Sequence, residues 1–232
     1  MMAILECKAL SKSYGLTKAV DSADIKIEAG RVVGLLGPNG SGKTTLIKLA
    51  AGLLSPTSGE VLIEGMAPGP ETKAIVSYLS DRDYLPDWMN LNQLLDYFGD
   101  FYSDFNREKA IELSKRIGVV DNKPLKTLSK GTREKLQLVL VMSRDAKLFL
   151  LDEPIGGVDP ATRDTIIDTI IKNYNPDAAV IISTHIITDI EKILDDVIFI
   201  NEGKISLVES VDDIRAKHQK SVDAYFREVY KC

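Results

Sequence analysis

The chain has 232 residues, 44% hydrophobic and 27% charged, the make-up of a soluble globular protein able to bury roughly 70% of its unfolded surface without staples. A net charge of −5 argues against a nucleic-acid partner, which calls for clustered Lys and Arg. Cys7 and Cys232 are far apart and lack C-x-x-C spacing, so neither a disulfide framework nor a zinc site follows and a reducing compartment is expected; no run approaches the roughly 18 apolar residues of a membrane helix, and no signal-peptide core opens the chain.

Alternating patterns at 4–9 and 23–27, Val61 and Ile63, and the run 75–79 predict a small, largely antiparallel sheet. The runs 32–36, 148–151 and 180–182 are apolar almost throughout, which predicts parallel strands covered by helices on both faces. Between 82 and 145 the signals are helical. Asn90 heads a helix whose Leu94, Leu95, Phe98, Phe101 and Tyr102 share a face, and Ala110, Leu113 and Ile117 form a second stripe ending at Gly118. Asp159-Pro160 opens a helix with Ile166, Ile167, Ile170 and Ile171 turned inward. The stretch 197–208 reads as a hairpin around Asn201-Glu202-Gly203-Lys204, and short helices start at Ser210 and Ser221. The expected fold class is α/β: a P-loop nucleotide core with a mainly parallel sheet (about 1–81 and 146–208), an antiparallel β-subdomain, an α-helical insertion (about 82–145) and short C-terminal helices (209–232).

The sharpest chemical signal is Gly37-Pro38-Asn39-Gly40-Ser41-Gly42-Lys43-Thr44, a complete G-x-x-x-x-G-K-T loop between an apolar strand and a helix carrying Leu46, Ile47, Leu49 and Ala50. Glycines let backbone N–H groups close on a polyphosphate, and the helix points its positive end at the anion. Lys43 then reaches the β- and γ-phosphates and the Thr44 hydroxyl can ligate Mg²⁺. A second element is 148–154, ending in Asp152-Glu153-Pro154. A carboxylate leaving a buried strand beside a P-loop is the position from which Asp152 can hold Mg²⁺ through water, and Glu153 next to it can polarise an attacking water.

Leu128-Ser129-Lys130-Gly131-Thr132 precedes this strand. Taken alone, Ser129 is an ordinary N-cap for a helix carrying Leu136, Val139 and Leu140. In register with the other motifs the segment resembles the Leu-Ser-Gly-Gly-Gln signature of the ATP-binding-cassette ATPases, with Lys130 and Thr132 departing from the common form. The resemblance covers residues 4–208. It implies ATP held by the loop from Gly37 to Thr44 with Thr45, by Tyr14 stacked on adenine, by Val20 beside it, and by Ser129, Lys130 and Gly131 acting from a second cassette subunit, identical or not. It further implies a D-loop at Gly157-Val158-Asp159 and a switch histidine at His185. His218 has no such context and reads as a surface residue. Where the family places a glutamine after a strand, this chain has Asp81, expected to contact Mg²⁺ directly or through water.

The family's role implies separate polytopic membrane subunits, a location on the cytoplasmic face of the cell membrane, and head-to-tail pairing driven by ATP. The short stretch after 208, Asp81 and Lys130 resemble subunits of bacterial antibiotic and multidrug exporters. A soluble cassette ATPase and a nucleotide-sensing module without turnover are the alternative readings. The segment from Arg82 to Met89 holds the sole tryptophan, Trp88; it is expected either to dock the membrane subunit or, with Leu85, to tuck under the helical insertion.

Overall fold

The computed structural model describes residues 3–120, 123–156 and 159–230, with the backbone alone for Ala161. The chain opens with a long hairpin, β1 (Ala3–Tyr14) and β2 (Thr17–Glu28), followed by β3 (Val32–Leu36), α1 (Lys43–Ala50), β4 (Ser58–Ile63), α2 (Pro70–Ile75) and β5 (Val76–Leu79). Three helices come next: α3 (Leu91–Phe101), α4 (Arg107–Arg116) and α5 (Lys130–Met142). The remainder alternates: β6 (Leu148–Asp152), α6 (Pro160–Asn173), β7 (Ala179–Thr184), α7 (Ile187–Ile190), β8 (Asp196–Asn201), β9 (Lys204–Ser210), α8 (Val211–His218) and α9 (Val222–Tyr230).

The main sheet has the order β5-β6-β7-β3-β8-β9, parallel except for β9, and the antiparallel sheet has the order β2-β1-β4. Successive side chains of a strand point to opposite faces, and both faces of the main sheet are covered. In β6, Leu148 and Leu150 pack with Leu35, Ile47 and Ile181 on one side, whereas Phe149 and Leu151 pack with Ile167, Ile182 and Phe199 on the other. This explains the unbroken apolar runs. A third apolar cluster, built around Leu94, Leu95, Leu136 and Leu140, lies wholly within 85–140.

Three expectations need correction. The run 75–79 does not join the antiparallel sheet: Ile75 closes α2, and β5 pairs in parallel with β6 through Val76↔Leu148 to Leu79↔Leu151. In α3, Leu94, Leu95 and Phe98 are buried but Phe101 is exposed, because the helix ends at that residue and its ring meets Tyr97, itself exposed, at 4.6 Å between centroids. In α6, Ile166, Ile167 and Ile170 are buried while Ile171 lies on the exposed flank of the stripe.

The caps act as read. Asn90 accepts from the Gln93 N–H at 3.0 Å and the Gln93 side chain answers the Asn90 N–H at 3.0 Å, a capping box. Asp159 caps α6 ahead of Pro160, and Ser221 accepts from the Ala224 N–H at the start of α9. Gly157 and Val158 of the expected D-loop, and Cys232, lie outside the described residues. His218 is exposed and stacks on Tyr225 with ring centroids 4.0 Å apart.

Candidate functional site

The C-terminal ends of β3, β6 and β7 meet at one point, and the site is assembled there. The turn after β3 passes under the hairpin of β8 and β9: the Gly203 N–H at its tip donates to the Ser41 carbonyl at 2.9 Å, and the Asp21 N–H donates to the Gly203 carbonyl at 2.8 Å. The packing is close enough to require glycine. A Cβ on Gly37 would stand 2.2 Å from the Ile200 carbonyl oxygen, and one on Gly42, at φ +112°, would stand 2.2 Å from that of Ala19. Gly42 then opens α1, whose first turn carries Lys43, Thr44 and Thr45.

Lys43 is almost fully buried. Its ammonium donates to the Gly37 carbonyl at 2.7 Å and to the Pro38 carbonyl at 3.1 Å, and lies 3.5 Å from Glu153 Oε1. Burial lowers its pKa, against the upward pull of Glu153 and Asp152. The Thr44 hydroxyl donates to Asp152 Oδ1 at 3.1 Å. Asp152 is 1% exposed, and its Oδ2 has no hydrogen-bond partner among the described residues. Burial raises its pKa, assisted by the negative charges of Asp81 and Glu153 and opposed by the hydroxyls of Ser183 and Thr44.

The sheet register decides how the two carboxylates are held. Asp152 pairs with Ser183 across β6 and β7, so the Ser183 hydroxyl donates to Asp152 Oδ1 at 2.6 Å and accepts from the Glu153 N–H at 3.0 Å. The same N–H also bonds to the Ser183 carbonyl at 3.1 Å. These bonds hold Glu153 at φ +50°, a left-handed conformation costly for a side-chain-bearing residue and characteristic of functional turns. His185, two residues beyond Ser183, places Nδ1 at 3.1 and 3.2 Å from the Glu153 carboxylate oxygens. Ser183 is the residue that motif reading left without a role. A hydroxyl paired across strands shows only once the register is known.

Lys43, Thr44, Asp152, Glu153 and His185 are thus brought together. Asp81 lies past the end of β5, accepts from the Ser80 hydroxyl at 3.3 Å and is near enough for its charge to act on Asp152. Tyr14 stands at the β1–β2 tip, half exposed, with the Lys12 ammonium 5.5 Å from its ring centroid. Val20 is 0% exposed, its side chain enclosed in the core beneath that hairpin. Ser129, Lys130 and Gly131 stand apart at the start of α5. The Ser129 hydroxyl serves Thr132, at 3.2 Å from its N–H, and Lys130 is solvent-exposed, 3.7 Å from Glu134.

The residues fit both a polyphosphate and a hard cation. Gly37 and Gly42 form a turn that a side chain would fill, Lys43 is a buried cation behind it, and the buried Ser41 hydroxyl has no partner among the described residues. The Thr44 hydroxyl and the unshared Oδ2 of Asp152 are oxygen donors of the kind Mg²⁺ takes. Among the described residues no group of three or more His, Cys, Asp and Glu side chains is placed to hold a metal.

The segment after Asp81 divides. Leu85 and Met89 are buried, whereas Trp88 is 69% exposed. From α5, Arg133 pairs with Asp83 and Asp87 and donates to the Leu85 carbonyl at 2.6 Å, and Gln137 donates to the Arg82 carbonyl at 3.1 Å. Beside it lies an open groove of about 450 Å³ between the main sheet and the three-helix region, lined by Leu53, Tyr78, Tyr84 and Phe98 among others. Its wall is held by Arg144, whose guanidinium bonds the carbonyls of Val76 and Ala74 at 2.6 Å, takes both Asp104 oxygens at 3.0 Å, and sits 3.9 Å over the Tyr102 ring.

The chain is similar to known proteins. The family described as ABC transporter matches residues 20–156. The ABC transporter ATP-binding protein YtrB of Bacillus subtilis is 29% identical over 229 residues, covering 97% of this chain and 78% of that protein. The lantibiotic transport ATP-binding protein SrtF of Streptococcus pyogenes is 29% identical over 215 residues, covering 90% and 92%. A solved ATP-binding subunit of an ABC transporter superposes with a TM-score of 0.88 at 25% identity, over 98% of this chain and 99% of that one.

Proposed function

The chain belongs to the ABC transporter family as an ATP-binding, ATP-hydrolysing subunit, and on that premise we propose that it drives export through separate polytopic membrane subunits by head-to-tail pairing. The observation that carries the chemistry is the convergence of Lys43, Thr44, Asp152, Glu153 and His185 at the ends of three strands. The turn from Gly37 to Thr44 and the start of α1 take the phosphates. Lys43 then exchanges Glu153 for phosphate oxygen, which frees the Glu153 carboxylate to orient and deprotonate the attacking water. His185 holds that carboxylate through Nδ1 and would act as the switch histidine toward the terminal phosphate. Thr44 and Asp152 would hold Mg²⁺, with Asp81 at its margin; the ion supplies neutralisation of phosphate charge.

Ser129, at the N-terminus of α5, makes no bond to the P-loop in its own chain, which favours action in trans on a second subunit's nucleotide. A two-fold pairing of this kind builds two composite sites. The chain then divides into a nucleotide core of about 1–81 and 146–208, a helical unit of about 82–145 with its own apolar cluster, and short C-terminal helices. Among the described residues no helix is long and apolar enough to cross a membrane. On its membership of the ABC transporter family the chain would work from the cytoplasmic face, receiving a short helix of the membrane subunit in the groove beside Tyr78 and Tyr84. Export is the direction we propose, on the likeness to a lantibiotic transport protein.

The test is to express the chain with candidate polytopic membrane proteins and reconstitute the complexes in vesicles. A complex that copurifies in detergent, hydrolyses ATP and moves cargo into ATP-free vesicle lumens from the ATP side supports the reading. ATP turnover with no stable membrane partner would make the chain a free-standing ATPase.

A further inference from the structure

The groove has a second property besides its apolar floor. Every charged side chain that lines it is basic: Lys73, Arg82 and Arg144. Arg144 is fully engaged with Asp104 and the carbonyls of Val76 and Ala74. Lys73 and Arg82 are exposed, and neither side chain has an acidic partner among the described residues. Glu71, two residues before Lys73, is not among the residues that line the groove, and the acids flanking Arg82 make other contacts. Asp83 pairs with Arg133, and Asp81 accepts from the Ser80 hydroxyl at 3.3 Å. The groove therefore presents two cations without an ion-pair partner among the described residues, at the border of an apolar surface made by Leu53, Tyr78, Tyr84 and Phe98.

We propose that the helix received here is selected by charge as well as shape: it sets an Asp or Glu against Arg82 and Lys73 while its apolar face lies on the tyrosines and Leu53. This rests on the groove being the docking site. The planar Arg82 fork suits a carboxylate, and partial shielding by the apolar walls strengthens the pair over one in open water. Arg82 also directly follows Asp81, and its carbonyl is held by Gln137 of α5. A carboxylate drawn onto Arg82 thereby pulls on the strand end that carries Asp81 and on the helix that begins at Ser129.

Three synthetic amphipathic helical peptides test this. They share a Leu/Phe face and differ at one flanking position, Glu, Gln or Lys, and each is titrated onto the full chain by fluorescence anisotropy. The Glu peptide should bind about tenfold more tightly than the Gln peptide, the size of one charge-assisted contact, and the Lys peptide should bind least. The Glu preference should vanish in Arg82→Gln/Lys73→Gln, whose melting temperature stays that of wild type because both side chains are exposed. Equal binding of all three peptides, lost on Leu53→Asp, would leave the docking site standing and overturn the charge selection. Binding of none would overturn both. A preference absent for peptides but present for vesicles containing phosphatidylglycerol over neutral ones, and dependent on Arg82 and Lys73, would assign the cations to lipid and overturn the proposal.

Discussion

Glu153→Gln separates chemistry from binding. In wild type the Glu153 carboxylate lies 3.5 Å from the buried Lys43 ammonium, a Coulomb attraction of about 5 kcal/mol at an effective dielectric of about 20. Glu153 keeps some solvent contact and glutamine still accepts a hydrogen bond, so the net loss to the nucleotide-free protein is about 1–2 kcal/mol. For a chain of this size that lowers the melting temperature by roughly 2–8 °C. The same pair must break when Lys43 turns to phosphate, so its removal tightens ATP binding by the same energy, roughly 5- to 30-fold. Turnover moves the other way, falling at least ~100-fold with loss of the general base. Differential scanning fluorimetry without nucleotide, fluorescent-ATP titration and phosphate release measure the three quantities. Turnover at the wild-type rate refutes the assignment of the base. Lost turnover with unchanged ATP affinity and melting temperature refutes the exchange of Lys43 between carboxylate and phosphate.

Burial raises the Asp152 pKa above its ordinary 3.8, so the folded state holds that proton more tightly and stability declines as pH climbs from about 3.8 through the raised folded value. Asp152→Asn should remove that decline: urea unfolding in EDTA should show a variant more stable than wild type at pH 7, with no further stabilisation by Mg²⁺-ATP over ATP. Arg144→Met leaves Asp104 and two buried carbonyls without their donor; because Asp104 is partly exposed the cost sits at the low end for a broken buried pair, about 3 kcal/mol, a fall of about 6–12 °C in melting temperature by calorimetry. Mixing a Ser129→Arg subunit with a Lys43→Ala subunit should restore ATPase activity through one intact composite site, and activity no higher than either parent, with mixed dimers shown to form, would exclude action in trans. Trp88→Ala should change unfolding free energy by less than about 0.5 kcal/mol while weakening copurification with the membrane subunit; a stable variant that assembles normally would remove Trp88 from the interface.

Neighbours along the chain impose the local features, and these were legible in the residues alone. A glycine-rich turn between an apolar strand and a helix is built from consecutive residues, as are the caps at Asn90, Ser129 and Asp159 and the carboxylate pair ending β6. Continuous apolar runs announced strands covered on both faces, because only burial on both sides tolerates Leu148 to Leu151 without a polar break. Partner choice was different. The residues of β5 have the same local pattern whether they join the small sheet or the large one, and only pairing with β6, far along the chain, settles it. Ser183 acquired its role through the register that sets it beside Asp152, and Lys43 met Glu153 because two separate strands end side by side. Phe101 and Ile171 sit at the edges of their helical stripes, where exposure depends on what packs over them. Local propensity ends with the chain's own bonds, and these placements follow from hydrogen bonding and packing between segments that only the folded chain brings together.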